Sequence, residues 1–338
     1  MMNIIIPMAG RGSRLRPHTL STPKPLLPIA GKSIVKRLVE DISEIVGGEL
    51  NQIAFIIGDF GLDTEKMLLN VAKDVGAKGV ICYQKEPLGT AHAIYCAKDL
   101  LVGPVVVAFA DTLFRAKFKF DLTSDVAIWV KQVKDPNAYG VVKLDGDGRI
   151  TDFVEKPESF VSDLAIIGIY YFKDGENLKR ELQYLIENNI KKAREFQITD
   201  ALENMRKDGL NMIPAEVDTW MDCGNKDILV KTNAQILEFV KDKEDLVSSD
   251  VILQSSKIIH PCYIGSGVKL INSIVGPHVS ISSGVSLNNC KIRDSIIREN
   301  SELRDIQLRN SMIGQNAFVD GEFDSLNLGD FSRMEIKA

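Results

Sequence analysis

Over the first two thirds of the chain, short apolar runs alternate with stretches of helical period. The apolar run over residues 3–6 predicts a buried strand, and 53–57, 80–83 and 105–110 repeat the signal. Between them, Ile34, Leu38, Ile42 and Ile45 recur at helical spacing behind Ser33, which is a good helix cap. Helices are also expected over 64–75 and 90–101. Strands separated by helices of this length imply a parallel sheet with right-handed crossovers. The middle is more mixed. Strands are expected over 126–133, 140–144, 150–154, 166–172 and 211–217, with the turn Asp145-Gly146-Asp147-Gly148 joining two of them. Helices are expected over 178–190, 198–207 and 226–240.

The charged stretch over 241–245 then marks a change of pattern. Ile264-Gly265-Ser266-Gly267-Val268 is echoed by Val275-Gly276-Pro277-His278-Val279, by Ile297-Arg298-Glu299-Asn300-Ser301 and by Ile313-Gly314-Gln315-Asn316-Ala317. This imperfect six-residue period predicts a parallel β-helix, in which each coil buries its faces only against its neighbours. At roughly 18 residues per coil, about 80 residues give about four coils. Ile264, Val268, Val275, Val279, Ile281 and Val285 are expected to point inward. The predicted organisation is an α/β unit over 1–240, a linker over 241–250 and the β-helix over 251–338.

A chain of 338 residues suits roughly two domains. A formal net charge of −5 argues against a nucleic-acid binder that works through a broad basic face. No apolar run approaches the roughly 18 residues that span a bilayer, and the first residues lack the basic region of a secretory leader. The five cysteines are scattered without Cys-x-x-Cys spacing and read as reduced thiols of a cytoplasmic protein.

The segment most informative about chemistry covers 7–28. Gly10 and Gly12 follow a strand directly, where backbone N–H groups free of Cβ atoms approach a phosphate. Arg11, Arg14, Arg16 and Lys24 add positive charge to the same loop. A dinucleotide fingerprint would need a glycine at Leu15, and a Walker A motif ending at Gly31-Lys32-Ser33 would need one at Leu26. Asp111 follows the apolar run over 105–110, at the end of a parallel strand where such sheets place ligands. Asp222 follows another strand-like segment.

Gly10-Arg11-Gly12-Ser13-Arg14-Leu15, followed by Pro23-Lys24-Pro25-Leu26-Leu27-Pro28, resembles the signature of the sugar-1-phosphate nucleotidyltransferases, and the resemblance covers about 1–240. It implies a Rossmann-like, mixed but mostly parallel sheet. The repeats beyond resemble the short left-handed β-helix that many members carry. The implied reaction joins a nucleoside triphosphate and a sugar 1-phosphate in line at the α-phosphorus and releases pyrophosphate. Such transfers depend mostly on positioning and charge neutralisation.

The same resemblance implies the roles of individual residues. Ala9, Gly10, Arg11, Gly12 and Ser13 lie along the triphosphate. Arg14 neutralises the departing pyrophosphate, and Lys24 sits near the α-phosphate. Asp111 and Asp222 hold Mg²⁺, which favours one or two carboxylates together with phosphate oxygens and water. Gln84, Gly89 and Thr90 match the nucleobase segment. Gly140, Glu155, Lys156 and Gly168 match the sugar-phosphate side.

Glucose 1-phosphate with dTTP is the first expectation, with uridylyl transfer to glucose 1-phosphate or guanylyl transfer to mannose 1-phosphate as alternatives. Two other classes are a β-helix acyltransferase using His260 or His278, and a regulatory protein that binds nucleotide sugars without turnover. The second of these would be expected to lose Arg14, Lys24 or an aspartate, and all are present. The β-helix is expected to join subunits into a homo-oligomer, a dimer or tetramer, and not to perform chemistry.

Overall fold

A computed structural model describes residues 1–10, 12–47, 50–116, 123–192 and 194–336. The strands that precede the β-helix are β1 (Met2–Pro7), β2 (Pro28–Ile29), β3 (Lys32–Ser33), β4 (Leu50–Ile57), β5 (Lys78–Tyr83), β6 (Val105–Ala108), β7 (Thr112–Arg115), β8 (Val126–Gln132), β9 (Gly140–Leu144), β10 (Ile150–Glu155), β11 (Leu164–Phe172), β12 (Met212–Glu216) and β13 (Thr219–Asp222). The helices are α1 (Ile34–Val46), α2 (Leu62–Asp74), α3 (Thr90–Tyr95), α4 (Gly175–Glu187), α5 (Ile198–Lys207) and α6 (Lys226–Val240). The chain forms two compact units that do not follow chain order. One contains Met1–Gly10 and Val35–Trp220, and the other contains Arg11–Ile34 and Met221–Ala338.

The first unit is built on a nine-stranded sheet in the order β10-β9-β11-β6-β1-β4-β5, with β8 pairing β11 and β12. β6, β1, β4 and β5 run parallel, whereas β11 is antiparallel to β6, β8 and β9. The apolar run of β1 is continuous because the strand lies centrally: Ile4, Ile5 and Ile6 are fully buried. β11 changes neighbours midway, from Val141 of β9 at Ala165 to Ala108 of β6 at Ile169. Gly168 makes that bulge with φ +83°, and its carbonyl accepts the Phe109 N–H at 3.0 Å. α4 begins at Gly175, earlier than its apolar period predicts, because the Asp174 side chain accepts from the N–H groups of Glu176 and Asn177. The helix expected over 90–101 is shorter. α3 ends at Tyr95, and a 3₁₀ turn follows over Lys98–Leu100.

In the second unit, α6 and the β2–β3 hairpin accompany a parallel β-helix with three faces. One face aligns Ile252, Lys269, Ser286, Glu302, Phe318 and Arg333, so a coil takes 15 to 17 residues. That sheet has six strands and so spans five coil repeats where four coils were expected, because each coil is shorter than 18 residues. Ile264, Val268, Val275, Val279, Ile281 and Val285 are all buried inside it. The repeat seen in the sequence also needs re-registering. Ile264 stacks on Ile281, Ile297, Ile313 and Leu328, whereas Val275 belongs to a different face. One corner of the coil is left-handed in every turn, at Gly267, Gly284, Asn300, Asn316 and Phe331. Glycine and asparagine tolerate that conformation, and phenylalanine does so only under strain.

Candidate active site

Within the first unit, the parallel strands end together, at the edge where open sheets receive ligands. The Met8 N–H donates to the Ile56 carbonyl at 2.8 Å, Gln84 N–H to Ile57 at 2.9 Å, and Ala110 N–H to Pro7 at 3.4 Å. These bonds bring Ala9, Gly10, Gln84 and Asp111 to the same edge. A Cβ on Gly10 would meet no described atom within 4 Å, so open space lies beside its backbone.

The Gln84 side chain is oriented from below. Its Nε2 donates to the Gly89 carbonyl at 3.1 Å and lies 3.2 Å from His92 Nδ1. Only a donor satisfies a carbonyl, so the amide nitrogen faces Gly89, and the amide oxygen is the acceptor left to meet a ligand. Burial holds the His92 imidazole below its ordinary value, against the opposing charge of Glu86, so neutral Nδ1 accepts. Gly89 has φ +110°, and a Cβ there would overlap the backbone of Phe196. The Thr90 hydroxyl is 3.2 Å from Gln197 Oε1 and accepts the Ile198 N–H at 3.0 Å, tying α3 to the start of α5.

Among the residues expected on the sugar side, Glu155 is the register partner of Gly140, and a Cβ on Gly140 would stand 2.9 Å from Glu155 Oε2. The glycine therefore lets the carboxylate lie across the neighbouring strand. Lys156 turns the chain with φ +46° and donates its N–H to the Tyr139 carbonyl at 3.1 Å. Its ammonium is exposed and only 4.0 Å from Glu155, a contact of little energetic weight. Tyr139 packs edge-on against Trp220 at 4.8 Å, and Trp220 Nε1 donates to Thr112 at 3.4 Å. Burial raises the Tyr170 phenol above its ordinary value, and Glu155 and Asp111 raise it further. No sequence signal marked Tyr139, Tyr170 or Trp220 for these contacts, because their partners are distant in the chain or on another strand.

The second unit holds the rest of the predicted set. Arg11 lies outside the described residues. Gly12 is left-handed at φ +61°, and a Cβ there would stand 2.9 Å from Lys24 Cβ, so the two ends of the basic loop meet at this glycine. Ser13 and Arg14 are exposed on a 3₁₀ turn, Ser13–Leu15, while Lys24 is buried at the start of another, Lys24–Leu26. Asp222 ends β13. Its carbonyl accepts the Thr232 hydroxyl of α6 at 3.1 Å, and a Cβ on Gly224 would stand 2.9 Å from its Oδ2.

His278 Nε2 meets Glu238 at 2.9 Å and Nδ1 meets Asp294 at 3.1 Å, so both ring nitrogens are occupied by carboxylates. That removes the free base an acyltransfer reading would need at this histidine. Burial pushes the thiols of Cys262 and Cys290 up to about 11, the property of structural cysteines. Among the described residues no helix is long and apolar enough to cross a membrane.

Residues 3–238 match the family described as nucleotidyl transferase. The chain is 27% identical over 366 residues to a glucose-1-phosphate thymidylyltransferase of Streptomyces antibioticus, covering 100% of each. It is 31% identical over 270 residues to the bifunctional protein GlmU of Methanococcus maripaludis, across 77% of this chain and 62% of that one. It is 30% identical over 289 residues to the mannose-1-phosphate guanylyltransferase catalytic subunit beta of Drosophila melanogaster, across 83% of this chain and 71% of that one. A solved structure from Bacillus anthracis superposes with a TM-score of 0.60 over 72% of this chain and 97% of its own, at 24% identity, a likeness of fold. With the matched region covering most of its length, the chain belongs to the nucleotidyl transferase family.

Proposed function

We propose that the protein transfers a thymidylyl group from dTTP to glucose 1-phosphate. A phosphate oxygen of the sugar phosphate attacks the α-phosphorus, and the bond from that phosphorus to the bridging oxygen breaks. Its electron pair leaves with pyrophosphate. The observation that carries the substrate choice is the likeness over the full length of both chains to the Streptomyces antibioticus glucose-1-phosphate thymidylyltransferase.

The Gln84 amide oxygen supports a base with an N–H at the centre of its pairing edge. Thymine, uracil and guanine have one there, whereas adenine and cytosine present an acceptor. Uridylyl transfer to glucose 1-phosphate and guanylyl transfer to mannose 1-phosphate therefore stay as the alternatives. In this reading Gly10, Gly12 and Ser13 line the triphosphate, Arg14 meets the departing pyrophosphate and Lys24 the α-phosphate. Glu155 and Lys156 hold the sugar and its phosphate.

Asp111 and Asp222 supply hard oxygen donors. Among the described residues no cluster of three or more His, Cys, Asp or Glu side chains could hold a metal alone. Two carboxylates suit Mg²⁺, whose remaining positions go to phosphate oxygens and water. An ion held by these carboxylates would neutralise phosphate charge. We also propose that copies assemble through the β-helix. Leu253 pairs with the buried Leu270 on the innermost column yet is 51% exposed, so the first coil offers an apolar end for a second copy to cover.

Measuring pyrophosphate release from five nucleoside triphosphates against glucose 1-phosphate and mannose 1-phosphate tests the reading. The highest kcat/KM is expected for dTTP with glucose 1-phosphate. A preference for ATP or CTP overturns the base assignment. Light scattering that shows a monomer at micromolar concentrations overturns assembly.

A further inference from the structure

We propose that the last coils of the β-helix position the catalytic loop: Arg298, Asn327 and Asp330 hold residues 17–22 and thereby set where Arg14 and Lys24 stand. The proposal rests on the roles given to Arg14 and Lys24 above, and it assigns the coils a task other than joining subunits.

The contacts all lie within the second unit. Arg298 is 5% exposed. Its Nη2 donates to Thr22 Oγ1 at 3.1 Å, and its Nη1 lies 3.3 Å from Asp330 Oδ1. That same oxygen accepts the Gln315 N–H at 2.9 Å, which fixes the carboxylate to the coil backbone. The other oxygen of Asp330 accepts the Ser21 hydroxyl. His18 is fully buried, and its Nε2 donates to Asn327 Oδ1 at 2.8 Å. The coil backbone also reaches the loop directly, since a Cβ on Gly329 would stand 2.9 Å from Pro17 Cβ.

At the opposite side the loop closes on itself. The Thr19 hydroxyl donates to the Gly12 carbonyl at 2.8 Å, and Gly12 abuts Lys24. Pro17–Thr22 is therefore gripped by the coils on one side and tied to Gly12 on the other, with Arg14 and Lys24 on the flanking turns.

A buried guanidinium adds little net stability compared with a well-packed apolar side chain, because its desolvation offsets the attraction of Asp330. What it does supply is direction. The planar fork fixes two partners at once, one on the loop and one on the coil. Ladders of stacked coils give that fork a stiff base, and sites on rigid elements hold geometry better than sites on free loops. Arg298 is in this account a positioning residue. It touches no substrate.

The test uses the full chain and four variants: Arg298→Ala, Thr22→Val, the double variant of these two, and Arg298→Lys. Pyrophosphate release is measured with the substrate pair the unaltered protein uses best, and hydrogen exchange is followed over 12–24. Arg298→Ala and Thr22→Val are each expected to lower kcat by about tenfold or more, because small misplacements of charged groups are costly in transfer reactions, while KM changes less. The double variant should lose little beyond Arg298→Ala, since both remove one contact. Arg298→Lys should recover part of the rate. Exchange should rise over 12–24 and stay unchanged over 262–297.

A kcat within about twofold of the unaltered protein in both Arg298→Ala and Thr22→Val overturns the proposal. So does a loss of rate that comes with raised exchange throughout the β-helix, which marks a merely structural role. If the unaltered protein releases no pyrophosphate with any pair, the functional reading fails by itself. Exchange over 12–24 in Arg298→Ala then decides the clamp: a rise supports it, and unchanged protection overturns it.

Discussion

The sheet of the first unit has a parallel half, β6-β1-β4-β5, and the β-helix of the second is parallel throughout, but the two bring residues together differently. In the sheet, β1 pairs with β4 on one side and β6 on the other, so Asn3 lies opposite Val105. Crossovers of that reach gather Ala9, Gln84 and Asp111 at one edge from three separate stretches of chain. In the β-helix, each strand pairs with the strand one coil later, so Ile264, Ile281, Ile297, Ile313 and Leu328 occupy equivalent places. A repeated environment builds a stiff surface with few unlike side chains on it, whereas a crossover sheet builds a varied edge. The difference teaches why predicted reactive groups concentrate at the sheet edge and in the basic loop, and why the coils suit support.

The sharpest way to break this contrast is to remove the two proposed metal-holding carboxylates, Asp111 at the sheet edge and Asp222 at the end of β13. Asp111→Asn and Asp222→Asn are each expected to lower kcat by about a thousandfold, because losing a charge beside the phosphates removes several kcal/mol of transition-state stabilisation. Near-normal pyrophosphate release at saturating Mg²⁺ in either variant would exclude the assignment. Lys156→Ala should mainly raise the KM for sugar phosphate, by about tenfold, as the loss of one charged contact implies. If KM rises for the nucleotide instead, the sugar side has been placed wrongly.

Damage should also spread differently in the two regions. Val107→Ala in β6 and Ile281→Ala in the β-helix remove fully buried side chains and should cost about 1–5 kcal/mol each. In the sheet the loss should lower protection throughout the first unit. In the β-helix it should concentrate in adjacent coils, since repeats interact with neighbours only. Hydrogen exchange that spreads evenly in both variants would abolish the distinction.

A smaller effect comes from the left-handed corners. Phe331 has φ +57° and is 71% exposed, so Phe331→Asn removes backbone strain without opening a cavity. It should stabilise the last coil by about 1 kcal/mol, read as a raised midpoint in urea. An unchanged or lowered midpoint counts against strain there.

The mildest effect is on acid stability. Burial holds the His18 imidazole below its ordinary value of 6.5; the bond to Asn327 opposes this, the Arg298 charge adds to it, and the Asp330 charge opposes it. The folded state therefore binds fewer protons than the unfolded one. His18's contribution is complete above about pH 6.5 and declines as pH falls below it, toward the lowered folded value. Melting of His18→Gln should consequently fall less between pH 7.5 and 5.5 than melting of the unaltered protein. Equal falls would remove His18 as the cause.

Much of this molecule is set by local pattern. The apolar run of β1, the helical period of α1 and the six-residue echo each follow from side-chain burial against period, and sequence alone carries that information. The loop residues Gly12, Arg14 and Lys24, and the strand-end Asp111, are legible as candidates because glycine freedom and charge are what a phosphate and its counter-ion would require, before any fold is known. The sequence also holds the left-handed corners as recurring Gly and Asn, although their true register appears only when coils stack.

Other features depend on partners that are remote in the chain. Gln84 could present either end of its amide until Gly89 and His92 fixed it. Thr90 is expected beside the nucleobase, and only the fold shows that its hydroxyl also ties α3 to α5. Arg298 looks like one more coil residue, and its bond to Thr22 joins positions 276 residues apart. Burial and period are properties of a segment, so the chain states them outright. Hydrogen-bond direction and the support of a loop are properties of a pair, and only the folded chain decides which pairs meet.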